Sequence, residues 1–285
     1  MRIASYNVHN LLHEADAERA GATVKTAAAV KALAGTIGAL GADVLLLQEV
    51  GAGSVLAEIN DLLRAPYPYL EVLEGNSPRG IHLGILSREP FSLTSHRDVL
   101  LVDESGEPLA EFDTERDAAA AHAQAARFQR DLMLAEVALA DGEPLALFNV
   151  HLKSKTNRPW KRLAADTVRA AEARQIRRVV GDYLQKHPAR AVILGGDFND
   201  TRSSDALAPL FDLPLFDPLG EMLARTGRKP TTYWPKRRMR LDFLLLSTAA
   251  RSLLDQGSAR IHVGQRAQRA SDHYPVSIDL RLPAG

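Results

Sequence analysis

Short apolar runs, each ending on polar or glycine-bearing residues, recur at 2–8, 43–49, 80–87, 131–139, 144–152, 191–196, 240–247 and 274–282. Their length and composition predict strands. Between them lie helical patterns. Residues 23–40 are alanine-rich with apolar positions at helical spacing. Residues 161–186 set Val168, Ile176, Val179, Val180 and Tyr183 along one stripe, with Arg169, Arg174, Arg177 and Arg178 mostly off it. The tetrapeptide Ala-Asp-Gly-Glu between the fourth and fifth runs is a hairpin signal. Hairpins mixed with strand–helix–strand units predict α/β architecture with mixed sheets and helices outside. The acidic, alanine-rich stretch 103–126 reads as a mobile loop or a short surface helix. No linker-like stretch or fixed-period repeat divides the chain, so residues 1–285 are read as one domain.

Composition narrows the function classes. The chain has 285 residues and an ordinary globular balance of 46% hydrophobic and 25% charged residues. It lacks cysteine, which excludes disulfides and thiolate metal sites. No run is long enough for a membrane span. The N-terminal sequence enters a strand pattern without the organisation of a signal peptide, so the cytoplasm is the expected location. The net charge is zero but unevenly placed. Residues 1–150 hold 11 Lys+Arg against 22 Asp+Glu, and residues 151–285 hold 24 against 13. Such asymmetry fits an anionic partner on the basic half, and equally a set of solvated basic helix faces.

The chemistry gathers at strand ends. The first run ends at Asn7 and His9, the second at Gln48-Glu49, the fifth at His151-Leu152-Lys153 and the sixth at Asp197 and Asn199. Asp242 interrupts an apolar run, and Asp272-His273 precede the last strand. One such residue makes a turn or a cap; six strand ends carrying them together describe a site. The set consists of carboxylates, amides and imidazoles, which suit a hard cation, Mg²⁺ or Mn²⁺. Glu49 is the leading metal ligand, with Asn7 and Asp272 beside it; the alternative for Glu49 is a helix-start acid. Asp242, among apolar residues, requires a partner. That partner is His273, or else one of Arg237, Arg238 and Arg240. An aspartate on a histidine ring fixes its tautomer and favours its charged form.

Arg130 and His151 are candidate donors to phosphate oxygens. The basic run Lys153, Lys155, Arg158, Lys161 and Arg162 is interrupted by Trp160, and residues 228–240 set Tyr233 and Trp234 among basic residues. Basic residues with interleaved aromatics suit nucleic acid, or plain solvated surface. A glycine-rich turn after the second strand lacks the third glycine of a dinucleotide fingerprint. His9 and His13 lack a zinc-protease pattern.

The segments Tyr6–Asn10, Leu47–Val50, Gly84–Arg88, Asn149–Ser154, Gly195–Asp200, Arg240–Ser247 and Ser271–Pro275, in that order, resemble the endonuclease/exonuclease/phosphatase (DNase I-like) superfamily. The resemblance covers nearly the whole chain. It implies a four-layer α-β-β-α sandwich with two packed mixed, largely antiparallel sheets and a site at one edge. It also implies hydrolysis of a phosphoester with Mg²⁺ or Mn²⁺. By position, Asn7, Glu49 and Asp272 would lie at the metal, and Asp197 would orient or deprotonate the attacking water. Asn199 would hold the phosphate or that water, and His151 and Arg130 would bind phosphate. His273, oriented by Asp242, would stabilise or protonate the phosphorane. Lys153, Trp160 and Tyr233 are the remaining candidate substrate contacts. His9 stands where the apurinic-site enzymes carry an acid, which argues against that subgroup.

The expected activity is therefore a metal-dependent phosphodiesterase acting on nucleic acid. The alternatives are a phosphatase or phosphodiesterase for a small or lipid phosphate, and a non-catalytic anion-binding module. Gly195 and Gly196 are expected to clear space for a bound phosphate. Asp197 and Asn199 are expected to share one face of an extended backbone with Phe198 turned inward. Asp200 is expected to cap the following helix pattern.

Overall fold

The structure, a computed structural model, describes residues 1–112, 115–139, 142–227 and 239–282. Its strands in chain order are β1 (Arg2–Leu11), β2 (Val44–Val50), β3 (Tyr69–Leu73), β4 (His82–Ser87), β5 (Phe91–Thr94), β6 (Ala110–Glu111) and β7 (Gln124–Ala125). They continue with β8 (Leu132–Val137), β9 (Leu145–His151), β10 (Val192–Asp197), β11 (Asp242–Leu246), β12 (Arg260–Ile261) and β13 (Val276–Asp279). One sheet has the order β12-β13-β1-β2-β4-β3 and the other β11-β10-β9-β8-β5. In each, a single parallel pair sits among antiparallel neighbours: β1 with β2, and β9 with β10. Both sheets are thus mixed and largely antiparallel.

Three apolar layers hold the sheets together. Ile3, Val44, Leu46 and Ile85 of the first sheet pack on Met133, Leu147, Ile193 and Leu244 of the second. Tyr6, Leu45 and Leu47 on the first sheet's other face are covered by Leu33, Ile37 and Leu40 of the helix Ala27–Leu40. Phe148, Leu194 and Phe243 on the second sheet's other face are covered by Val168, Ile176 and Val180 of the helix Ala165–Lys186. This is the four-layer α-β-β-α sandwich. It explains why β9 and β11 are buried at every position: a strand covered on both faces reads as a continuous apolar run.

The eight expected strands are all present. The short strands β3, β5, β6, β7 and β12 were not legible. β3 and β5 are edge strands with most side chains at least partly exposed, so they carry little apolar signal. The stretch 103–126 forms the β6–β7 ribbon and a short helix, Glu115–Ala119. Strands β8 and β9 pair antiparallel as the hairpin signal implies; residues 140 and 141 of that signal lie outside the described residues.

Two expectations are corrected here. Arg169 does not lie off the buried stripe of its helix but is fully buried, bonded through Nη2 to Asp200 Oδ2 at 2.8 Å and through Nη1 to the Lys153 carbonyl at 2.8 Å. Helical periodicity places a side chain on a face; it does not foresee a buried acid waiting there. Gly195 and Gly196 serve strand packing. A Cβ on Gly196, whose φ is +134°, would lie 2.0 Å from the Val150 carbonyl oxygen of the neighbouring strand, and one on Gly195 would lie 2.7 Å from Leu244 Cδ2. The chain can approach its neighbours this closely only without side chains.

Candidate active site

The two sheets bring their polar strand ends to one edge. β1 delivers Asn7, and β2 delivers Glu49 through a bulge at which the β1–β2 and β2–β4 registers shift. Glu49 sits at φ +63°, with His9 and Asn10 at +51° and +53°. Bulges of this kind re-aim a side chain. From the other sheet, β9, β10 and β11 place His151, Asp197 and Asp242 on adjacent strands, with Asp197 in register with both. Left-handed backbone at non-glycine residues costs roughly 1–3 kcal/mol each and persists where the surroundings enforce it, commonly at functional sites.

A hydrogen bond between the sheets joins the two halves. Asn7 Nδ2 donates to Asp197 Oδ2 at 2.9 Å and to Glu49 Oε1 at 3.3 Å. Just behind it, Gln48 Nε2 donates to Asn149 Oδ1 at 2.7 Å, also across the sheets. Asn149 Nδ2 reaches the carbonyls of Leu47 and Gly84, and the whole network is buried. A satisfied buried polar network fixes one registry between layers that apolar packing alone would leave free to slide.

Asp197 Oδ1 accepts the Asn199 backbone N–H at 2.8 Å, while Asn199 Nδ2 donates to the Leu152 carbonyl at 2.9 Å and to Asp197 Oδ2 at 3.2 Å. Asn199 is at φ +53°, so a tight turn brings the two side chains together, and the expected extended alternation does not hold. Phe198 is buried as expected, stacked on Phe243 at 4.7 Å between ring centroids. Asp200 accepts the Thr201 N–H and the Ser204 hydroxyl, each at 2.8 Å, and also carries the buried pair to Arg169.

Asp242 takes His273 as its partner, Oδ2 to Nδ1 at 2.9 Å, and both are buried. Of the alternative arginines, Arg240 pairs with Asp217, and Arg237 and Arg238 lie outside the described residues. His273 Nε2 then faces Asp197 Oδ2 at 3.7 Å. Burial opposes a charge on His273, but Asp242 and Asp197 outweigh it and hold its pKa well above the ordinary value. Burial pushes the Asp197 carboxyl up to about 7, with His273 pulling against the rise and Asp242 adding to it. His151 lies 3.6 Å from Asp197 and 3.8 Å from Glu49. Burial, then Arg130, drives its pKa well below the ordinary value, so it is neutral near pH 7.

The donor set fits a hard cation. Glu49 is largely buried, with 14% of its side chain exposed, and its hydrogen bonds come from uncharged donors, Asn7 Nδ2 and the Asn10 N–H at 2.9 Å. Asp272, 26% exposed and 3.8 Å from His9 Nδ1, adds a second carboxylate to its field. Asn7 turns its Nδ2 to Glu49 and its Oδ1 to the His9 N–H. Asp197, Asp242 and His273 also form a group able to hold a metal, with donor atoms within 4.8 Å of one another.

Arg130 is buried, and burial lowers its pKa. It lines a 490 Å³ cavity with Arg79, Lys153, Arg158, Trp160 and Lys161. The Lys153 amine, pushed down to about 8 by burial and by Arg130, donates to the carbonyls of Ser154 and Thr156. Trp160 is covered by Lys161 Nζ at 4.8 Å from its ring centre. Tyr233 lies outside the described residues. Sequence reasoning missed Asn10, Arg79 and Lys25. Arg79 bonds Asn10 Oδ1 at 2.8 Å, and Lys25 bonds the Ala270 carbonyl at 2.6 Å within the field of Asp272 and Glu49. Arg79 comes from a loop, where no periodicity marks a residue, and Lys25 lies just before the helix Ala27–Leu40, within the stretch that reads as helical.

The family profile described as the Endonuclease/Exonuclease/phosphatase family matches residues 4–273. The chain belongs to this family. The family is of the phosphoester-hydrolase type. The fold is similar to that of a family protein from Beutenbergia cavernae DSM 12333, with a TM-score of 0.61 and 19% identity over 99% of this chain and 71% of that one. It is also similar to truncated TDP2 from Caenorhabditis elegans, with a TM-score of 0.58 and 19% identity over 97% and 96% of the two chains. Beta toxin from Staphylococcus aureus gives a TM-score of 0.57 with 14% identity over 98% and 99%. No match was found among curated protein sequences. Among the described residues, no helix is long and apolar enough to cross a membrane.

Proposed function

We propose that this family member is a divalent-metal-dependent phosphodiesterase that cleaves nucleic acid. The observation that carries the reading is the line Asp242–His273–Asp197, joined at 2.9 and 3.7 Å and facing Glu49 across the Asn7 bridge. Glu49 and Asp272 would hold the Mg²⁺ or Mn²⁺, which when bound would polarise a phosphoryl oxygen and offset the charge of the transition state.

Asp197 receives the proton of the attacking water at its carboxylate. Its elevated pKa places it near the optimum for a base working at neutral pH. The amides of Asn7 and Asn199 fix that carboxylate's orientation. His273, held protonated by Asp242, donates from Nε2 to a phosphoryl oxygen as charge builds there. Neutral His151 and charged Arg130 supply further donors. One P–O bond forms to the water oxygen and one breaks to the leaving alkoxide, which takes a proton from solvent while Asp197 returns its own to solvent; the products are a phosphomonoester and a hydroxyl end. Nucleic acid is favoured by the cationic cavity beside this centre, with Arg79, Arg130, Lys153 and Arg158 on its walls.

The test is hydrolysis of DNA, RNA and a simple aryl phosphodiester with and without Mg²⁺ or Mn²⁺. DNA or RNA cleavage that needs the metal and falls steeply with salt is expected, with loss in Asp197→Ala and His273→Ala. Full activity in either variant, or binding without turnover, overturns the reading.

A further inference from the structure

Among the described residues four arginines have a buried Nε without a hydrogen-bond partner, Arg79, Arg130, Arg174 and Arg190, and the first two line the 490 Å³ cavity together. An arginine Nε–H buried without an acceptor is costly unless an anion completes it. Lys153, Arg158 and Lys161 join them on the walls, against two acids, Glu111 and Glu115. Glu111 is already committed, accepting the backbone N–H groups of Arg162 at 2.8 Å and Leu163 at 3.2 Å. The walls are also held in place. Gly75 packs so closely on Arg130 that a Cβ there would lie 2.7 Å from its Cα. Asp131, next in sequence, turns the chain at φ +56° while its carboxylate binds Ser95 and His96.

The cavity adjoins the reaction centre and shares Arg130 with it. Arg79 is bonded to Asn10, whose N–H holds Glu49, and Arg130 lies in the field of Glu49 and Asp197. Its volume falls within the roughly 300–1,000 Å³ of pockets that enclose a small ligand, larger than one phosphate group needs. Among the described residues, none of the large exposed apolar side chains (Val24, Leu62, Tyr69, Leu100, Val263) lines it. Trp160 and Leu163 do line it, so a soluble inositol bisphosphate is kept as a competing substrate in the test below.

We propose that this cavity is a second anion subsite, which takes the phosphate next to the scissile one on a nucleic-acid strand. The proposal rests on the nuclease reading and narrows it: the preferred substrate carries two neighbouring phosphates.

Two measurements test it. The first compares kcat/KM in Mn²⁺ for a dinucleoside monophosphate and for the same dinucleotide with a terminal 5′- or 3′-phosphate. The wild type is expected to favour one phosphorylated form by about tenfold or more, and Arg158→Gln and Lys153→Gln to bring that ratio towards one. A merely structural role would lower both substrates together and leave the ratio intact. A wild-type ratio of one, or a ratio unchanged in both variants, overturns the proposal. So does faster turnover of a soluble inositol bisphosphate than of any oligonucleotide.

The second measurement is calorimetric titration of pyrophosphate in chelator, which reads the subsite without catalysis. Binding weakened about tenfold in both variants supports the subsite even if no dinucleotide is cleaved, in which case the nuclease reading alone falls. Normal cleavage with pyrophosphate binding unaltered by either substitution leaves the nuclease reading standing and removes the subsite.

Discussion

Asp242 Oδ2 holds His273 Nδ1 at 2.9 Å, so the ring presents Nε2 to the site with its tautomer fixed. Asp242→Asn removes the charge while keeping the shape. The expected result is a fall in kcat of about 10²–10⁴-fold with little change in KM, since the charge on His273 matters as the transition state forms. Steady-state kinetics beside a circular dichroism spectrum check it. A kcat within a factor of about two of the wild type would remove His273 from the chemistry.

The pair Asp197–His273 also makes stability depend on pH. Both groups bind a proton more tightly folded than unfolded: Asp197 because of burial, and His273 because Asp242 and Asp197 outweigh its burial. A raised pKa contributes stability that is complete below the unfolded value and fades as pH rises through the folded value. For Asp197 that window runs from about 4 to about 7. In chelator, the stability of the wild type relative to Asp197→Asn is therefore expected to fall as pH rises from about 5 to about 8, read from urea midpoints. A difference that is flat or rising contradicts the elevated carboxyl.

Among the described residues the hydrogen bonds to Glu49 come from uncharged donors, Asn7 and Asn10, so a bound cation would supply a counter-charge beyond the nearby histidines. Mn²⁺ at about 100 times its dissociation constant is expected to add about 2.7 kcal/mol of unfolding free energy to the wild type. Glu49→Gln is expected to lose most of that increment. Thermal melts with Mn²⁺ and with chelator measure it independently of any substrate. An equal shift in Glu49→Gln places the cation elsewhere.

Arg169 is fully buried against Asp200, and Lys155 approaches the same acid from the surface. Arg169→Met removes the buried cation beside Asp200 and leaves Lys155 at its other oxygen, at an expected cost of about 3–5 kcal/mol in urea unfolding. Because Arg169 Nη1 also holds the Lys153 carbonyl, the loop after β9 should loosen too, seen as faster amide exchange over residues 153–162. A cost below about 1 kcal/mol would mean that Lys155 and the neighbouring hydroxyls suffice.

The sequence by itself determined the eight main strands, the two long helices and the polar residues at the strand ends. Each is a local property: a strand covered on both faces must be apolar throughout, and an acid among apolar residues must have a reason to be there. It also narrowed the partner of Asp242 to His273 or a nearby arginine, without deciding between them.

Tertiary structure decided the rest. Asn7 and Asp197, 190 residues apart, meet because two sheets pack face to face, and no local pattern encodes that registry. The bulge that aims Glu49, the burial of Arg169 beneath Asp200, and the choice of His273 by Asp242 depend in the same way on which layer lies against which. So does the role of Gly195 and Gly196: the glycines are plain in the sequence, but the Val150 carbonyl that requires Gly196 belongs to another strand. Apolar periodicity is written along the chain, whereas the pairing of buried charges is settled only when distant strand ends share one low-dielectric space.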